Sequence, residues 1–217
     1  MKLRLLKKEN AKVMPWKNGR GSTTELAIHP EGEDFRKGDF LWRISSASVN
    51  DAGAFSFFPF HNRWLTVLNG KGLRLHQRDE LTPMAQQIVE VRPLTLYNFD
   101  GAVEIHCELL GGPVTDFNVF ARKSRVTASA KVIELKAGED FSWKPSARWN
   151  FLFMANGNSV VQWPTGDSSG EPIQIREGDS LLIENEFEHN EKEILEINPG
   201  AENSARLLVI ELQNFSS

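Results

Sequence analysis

Trp64-Leu65-Thr66-Val67-Leu68-Asn69-Gly70-Lys71-Gly72 returns later in the chain as Phe151-Leu152-Phe153-Met154-Ala155-Asn156-Gly157-Asn158-Ser159, an offset of 87 residues. Upstream of it, Ala52-Gly53-Ala54-Phe55-Ser56-Phe57-Phe58-Pro59 returns as Ala137-Gly138-Glu139-Asp140-Phe141-Ser142-Trp143-Lys144-Pro145, with one extra residue, at 85 to 86. Downstream, Val89-Glu90-Val91-Arg92 returns as Ile173-Gln174-Ile175-Arg176, at 84. An Asn-Gly pair between apolar runs is a common hairpin signal and would mean little alone. Three matches in one order at a nearly constant offset mean a duplicated unit, and a period this long is a domain rather than a solenoid repeat. The repeats occupy roughly 40–125 and 126–217, so the predicted domains are 1–125 and 126–217. Residues 1–39 have no partner in the second copy and form an extension that can cross to the other unit.

The elements are strands. Val103, Ile105, Cys107 and Leu109 alternate with Glu104, His106 and Glu108, the period of a half-buried strand. Short β-branched or aromatic runs at 41–48, 64–68, 94–98, 151–155, 159–163, 180–184 and 205–212 are separated by Gly, Pro, Asn and Asp, the punctuation of turns. No stretch of 12 residues carries a helical stripe. Two all-β units of this size, with Asn-Gly pairs and a Gly178-Asp179 turn, predict two jelly-roll β-barrels.

Composition narrows the partners. The 217 residues are 40% hydrophobic with a net charge of -4 of mixed sign, which offers no basic footprint for nucleic acid and no lysine-rich face for membranes. No apolar run approaches the roughly 18 residues of a membrane span. Met1 to Leu6 followed by Lys7-Lys8 lacks the apolar core of a secretory signal. The single cysteine, Cys107, has no partner for a disulfide within the chain, and a reduced, cytoplasmic setting is expected.

Alternation also says which polar groups lie together. Thr23, Glu25, Ala27 and His29 are predicted on one strand face; Arg43, Ser45 and Ala47 lie opposite Trp42 and Ile44; Asp116 and Asn118 lie opposite Phe117 and Val119. Polar faces are ordinary on solvated strands. In a barrel, however, one face of every strand points inward, and if these are the inner faces they describe an interior with an arginine, a carboxylate, amides and hydroxyls, suited to a small ligand. The glycines of Pro15-Trp16-Lys17-Asn18-Gly19-Arg20-Gly21 allow close backbone approach, without the spacing of a phosphate loop. Arg63 has Asn150 as its counterpart, and Arg43 has no arginine counterpart near Val132, so the site belongs to the first copy.

A metal is not expected. Among His29, His61, His76, His106 and His189 no His-x-His pair has a downstream Glu, the spacing that gathers ligands on one strand face. Glu104, His106 and Glu108 share a face, but the opposite face of that strand is the apolar one. His189 stands alone, and Arg74, His76 and Arg78 read as a solvated edge. No serine sits in a nucleophile elbow, and Cys107 lies on the core face as a small hydrophobe. The carboxylates Glu31, Glu33 and Asp34 lie in a charged loop.

Pro15-Trp16-Lys17-Asn18-Gly19 with Thr23 and Glu25, Trp42-Arg43-Ile44-Ser45, Gly53-Ala54-Phe55-Ser56-Phe57-Phe58-Pro59, Arg63 and Gly112-Pro113-Val114-Thr115-Asp116-Phe117-Asn118-Val119 resemble the HutD/Ves family of bacterial bicupins. The resemblance runs from about residue 10 to 125 and weakens in the second half. It implies an all-β bicupin associated with histidine utilisation, with a pocket for a small acidic molecule; no cofactor is expected. By matching position, the implied lining is Trp16, Asn18, Thr23, Glu25, Arg43, Ser45, Phe58, Arg63, Asp116 and Asn118. The chain departs from the family pattern at Arg20 and Ser22, at Phe60-His61-Asn62 and at Lys123, changes that bear on ligand identity more than on fold.

The expected function is therefore a non-metal bicupin that binds a small carboxylate, such as a formyl-glutamate-like intermediate of histidine breakdown, as a sensor or modulator. Arg43 and Arg63 would hold the carboxylate, with Asn18, Asn118, Ser45 and Thr23 orienting it and Trp16 and Phe58 as walls. The alternative is a cupin enzyme, an isomerase, hydrolase or metal-dependent oxygenase acting on a small organic acid, with Glu25 as general base. A third reading is a structural or partner-binding module. Exposed barrel edges make a homodimer reasonable.

Overall fold

The computed structural model describes residues 1–78, 86–162, 171–185 and 194–215. Period-two alternation and short turns produce strands almost throughout, with only the single 3-10 turns Lys8–Asn10 and Phe35–Lys37 interrupting them among the described residues. The strands of the first half are β1 (Lys2–Leu6), β2 (Lys12–Pro15), β3 (Gly21–His29), β4 (Trp42–Val49), β5 (Gly53–Ala54), β6 (His61–Asn69), β7 (Leu73–Arg78), β8 (Gln86–Val91), β9 (Tyr97–Asp100), β10 (Glu104–Leu109) and β11 (Val114–Arg122). Those of the second half are β12 (Val126–Leu135), β13 (Phe141–Trp143), β14 (Trp149–Asn156), β15 (Asn158–Gln162), β16 (Ile173–Arg176), β17 (Ser180–Glu184), β18 (Leu195–Asn198) and β19 (Ala205–Asn214).

They form two units. One comprises residues 11–127 with 215–217, the other 1–10 with 128–214. In the first, the sheet β2-β3-β4-β11-β6-β9 shares its core with the sheet β5-β10-β7-β8. In the second, β12-β19-β14-β17-β1 shares its core with β13-β18-β15-β16. The order β4-β11-β6-β9 recurs as β12-β19-β14-β17, and β5-β10-β7-β8 as β13-β18-β15-β16. The duplication read from three short motifs is thus a duplication of every strand order, and the fold is the all-β bicupin of two jelly-roll units. Outside the repeat, β2 and β3 extend the first unit's large sheet, while β1 pairs antiparallel with β17 of the second.

Two expectations change in detail. Asn69-Gly70 and Asn156-Gly157 do not close hairpins: each carries the chain from the larger sheet to the smaller one. Gly70 (φ 105°) and Gly157 (φ 79°) hold a backbone conformation that L side chains rarely adopt. A Cβ on Gly70 would also meet the Pro113 carbonyl at 2.8 Å, and one on Gly157 would meet Ala205 at 3.0 Å. The strand expected at 94–98 begins only at Tyr97, because Leu94 takes φ 57° in the preceding turn and donates its N–H to the Val67 carbonyl. The run at 159–163 is β15, with Trp163 outside the described residues.

Candidate functional site

The first unit's interior is apolar at one end, where Val49, Val67, Leu73, Leu75, Val91, Ile105, Cys107 and Val114 pack together. Strand register brings polar residues onto the continuation of that same inner face. Antiparallel partners point to one side of a sheet; Asp116 pairs with Ala47 and Val67, Asn118 with Ser45 and Leu65, and Phe120 with Arg43 and Arg63. Ala47, Leu65 and Val67 belong to the core, so Arg43, Ser45, Arg63, Asp116, Asn118 and Phe120 all face inward. Glu25 joins them from β3, opposite Ser45.

These side chains form one network. Arg43 donates Nε–H to Glu25 Oε2 at 2.8 Å, and its Nη1 lies 3.5 Å from Ser45 Oγ. Arg63 donates from Nη2 to Asn118 Oδ1 at 2.8 Å and from Nη1 to the Ser56 carbonyl at 3.3 Å. That acceptance fixes the Asn118 amide, whose Nδ2 donates to Asp116 Oδ1 at 2.8 Å. The Ala47 N–H donates to the same oxygen at 3.0 Å. Both guanidinium groups rest on aromatic faces. Arg43 lies 4.3 Å from the Phe35 centroid, and Arg63 lies 4.6, 4.9 and 5.2 Å from Phe120, Phe99 and Phe55. Such cation–π contacts partly replace the water a buried guanidinium loses.

Burial then sets the charges. Arg63 is 5% exposed, and desolvation lowers its pKa to about 10 despite the pull of Asp116, so it stays charged at neutral pH. Desolvation lowers Arg43 as well, with Glu25 acting the other way. Asp116 is 3% exposed, and burial raises its pKa to about 7 against the opposing effects of Arg63, the Ala47 N–H and Asn118. Near neutrality the network therefore holds two cations, the paired Glu25 and a carboxyl that is only partly ionised. Arg43 Nη2 and Arg63 Nε are buried with no hydrogen-bond acceptor, an arrangement that costs free energy unless an acceptor arrives.

Of the residues expected in the lining, Glu25, Arg43, Ser45, Arg63, Asp116 and Asn118 converge. Phe58 joins them through an edge contact of 5.0 Å with Phe120. Trp16 and Thr23 pair with each other, Nε1 to Oγ1 at 2.9 Å, one register step along β3 beside the apolar core. Asn18 is not brought to the cluster: it is exposed in the β2–β3 turn, and its side-chain oxygen accepts the Arg20 N–H. A β-bulge between Glu25 and Ala27 also breaks the predicted face of β3. Ile28 takes the inner position opposite Arg43, while His29 pairs with Trp42 and stacks on it at 5.6 Å, facing away.

Sequence reasoning missed Phe35, Phe55, Phe99 and Phe120. Phe120 was in reach, since it continues the Asp116, Asn118 alternation. His61, weighed in the sequence as a metal ligand, has a structural place. It is buried, stacks on Phe40 at 4.1 Å and shares a 2.9 Å hydrogen bond with the Phe40 carbonyl. Desolvation lowers its pKa, so it acts as a neutral structural donor. Glu104, His106 and Glu108 face outward, opposite the buried Ile105 and Cys107, and Glu108 is engaged by His76 at 3.2 Å. His189 lies outside the described residues. Among the described residues no three His, Cys, Asp or Glu side chains converge as a metal cage requires, and two inward guanidinium groups do not suit a metal cation.

Among its described residues the second unit lacks this network. Asn150 takes the place of Arg63 and closes on the backbone of Ala147 in both directions, at 2.8 and 3.1 Å. By pairing with β14, Leu207 and Val209 stand where Asp116 and Asn118 stand in the first unit. On β12, the match of β4, there is no arginine, and Ser129 reaches Glu211 at 3.4 Å.

The HutD family profile matches residues 8–198. The chain belongs to the HutD family. A conserved protein of unknown function from Pseudomonas aeruginosa PAO1 superposes on this HutD chain with a TM-score of 0.81, at 29% identity, covering 98% of this chain and 100% of that one. HutD from Pseudomonas fluorescens SBW25, in a formate condition, superposes at TM-score 0.76 and 23% identity, covering 99% and 100%. An uncharacterised 21.2 kDa protein in the hutC 3' region of Pseudomonas putida is 36% identical over 127 residues, 58% of this chain; the match spans 62% of that protein's length. The fold alone extends to the oxalate decarboxylase of Lactobacillus farciminis, at TM-score 0.69 and 10% identity over 97% of this chain and 88% of that one. The HutD family is linked to histidine utilisation. No helix among the described residues is long and apolar enough to cross a membrane.

Proposed function

We propose that the first barrel binds a small carboxylate, of the formyl-glutamate type that histidine breakdown produces, and that the chain acts as a sensor or modulator of histidine utilisation. The observation that carries this reading is the pair of buried guanidinium groups, each with an N–H that no protein atom accepts. A carboxylate supplies the missing acceptors and the missing negative charge together, through short charge-assisted bonds. Phe35, Phe58 and Phe120 provide apolar walls, and Glu25 holds Arg43 in position. Glu25 is the group an enzymatic reading would use as general base, and its 2.8 Å ion pair with Arg43 favours the holding role.

The test is a thermal-shift screen of histidine-pathway acids against other small carboxylates, followed by calorimetry on the hits. N-formyl-L-glutamate is expected to raise the melting temperature in a saturable way, as a ligand of the folded state must. A melting temperature that no small acid moves would remove the reading.

A further inference from the structure

The charges within the first barrel do not balance in a symmetric way. Arg43 has its own carboxylate in Glu25, whereas Arg63 reaches Asp116 only through the Asn118 amide. Asp116 Oδ1 already accepts two N–H donors, from Ala47 and Asn118, so a proton on this carboxyl belongs on Oδ2. With Asp116 ionised, the two arginines are matched by two carboxylates and an incoming anion finds no net positive charge. With Asp116 protonated, the cluster carries one excess positive charge, enough for one monoanion.

We infer that the barrel takes up its carboxylate together with one proton, which Asp116 holds, so that the ligand is bound as a monoanionic head group and affinity falls as the solution becomes alkaline. This rests on the carboxylate-binding reading above and adds the ligand's charge and the coupling to it. The groups acting on Asp116 are Arg63 from β6, the Ala47 N–H of β4 and Asn118 on its own strand; Arg43 of β4 acts on Arg63, and Cys107 of β10, which feels Asp116, is pushed by burial up to about 12 and stays neutral. Asp116, with its pKa near 7 in the free barrel, changes charge in the range where the coupling is felt. Below that range Asp116 already carries its proton and binding is unimpeded. Above it each bound anion must draw a proton from solution, and linkage then weakens binding about tenfold per pH unit. Asn118 is the positioning residue: its fixed amide links the arginine that meets the anion to the carboxyl that holds the proton.

The experiment titrates the full chain with formate, which stays ionised throughout, at constant ionic strength between pH 5.5 and 8.5. Affinity is expected to be flat below pH 6.5 and roughly tenfold weaker at pH 8 than at pH 6. Calorimetry in two buffers of different ionisation enthalpy is expected to show uptake of close to one proton per formate at pH 8 and almost none at pH 6. Asp116→Asn is expected to bind formate with no pH dependence. The buffer comparison needs no variant, so it stands even if that substitution fails to fold. Formate binding with no proton uptake at pH 8, or an equal pH slope in Asp116→Asn, overturns the coupling while leaving carboxylate binding intact. No saturable binding of formate or N-formyl-L-glutamate at any pH overturns the binding reading itself.

Discussion

Arg63 and Asn150 occupy one position in two copies of one barrel, and everything around them has followed. In the first copy a buried cation is held by an amide, a backbone carbonyl and three aromatic faces, with one N–H left without an acceptor. In the second copy the amide closes on the neighbouring backbone, and the inner face of β19 reads Leu207, Val209 in place of Asp116, Asn118. One fold thus supports an interior with two buried arginines and one that is apolar at the positions of Asp116 and Asn118, with Glu211 in place of Phe120. At the shared position Asn150 is satisfied by the Ala147 backbone, whereas Arg63 keeps an Nε–H without an acceptor and is joined by Arg43 Nη2. A jelly-roll core does not itself determine a ligand site, and a few inward positions decide it.

The largest effect should come from writing one barrel's chemistry into the other. Leu207→Asp places the first barrel's carboxylate in the second without an arginine to meet it, and a buried unpaired charge should cost about 3–5 kcal/mol of stability by denaturant titration. Arg43→Ala removes the cation with the free Nη2 and should weaken carboxylate binding at least about 100-fold, the loss of charge-assisted bonds. Its fold should persist by circular dichroism, since Glu25 keeps partial access to water at 15% exposure.

The third prediction concerns pH. The folded pKa of Asp116, about 7, lies above its ordinary value of 3.8. This group's contribution to stability is therefore full below about pH 4 and is lost as pH rises through 7. The stability of wild type relative to Asp116→Asn should fall by roughly 4 kcal/mol across that window and level off above pH 8. No such difference should accompany a substitution at Leu207 that keeps it apolar.

The smallest effect compares two turns. Leu94 (φ 57°) and Gly178 (φ 89°) make the same bond, donating N–H to the carbonyls of Val67 and Met154, the two equivalent residues. Leu94→Gly relieves a left-handed leucine and should raise stability by about 0.5–1 kcal/mol, whereas Gly178→Leu should lower it by at least about 1 kcal/mol.

The same comparison shows what the sequence could disclose. Nearly constant offsets exposed the duplication because β6 to β8 and β14 to β16 keep nearly the same spacing, although the β9–β10 and β17–β18 connections differ in length. Simple alternation grouped Arg43 with Ser45 and Asp116 with Asn118 on single faces, and the structure turns those faces inward, because β4 and β11 pair without interruption from Arg43 to Ala47. It failed on β3, where a bulge after Glu25 shifts the face and turns His29 away; a bulge depends on pairing, which one strand's pattern does not record. Asn18 was placed by motif, but a local Asx-type bond to the Arg20 N–H holds its side chain in the turn. Phe35 and Phe99 escaped because they arrive from a 3-10 turn and from an outer strand of the large sheet. Their contact with the arginines is tertiary and has no sequence period.

The most direct measurement is the stoichiometry of N-formyl-L-glutamate binding by isothermal titration, on wild type and on Arg43→Ala. The account predicts one site per chain in the wild type, despite two barrels, and no measurable binding in the variant. Two equivalent sites per chain, or unchanged affinity in Arg43→Ala, would contradict it.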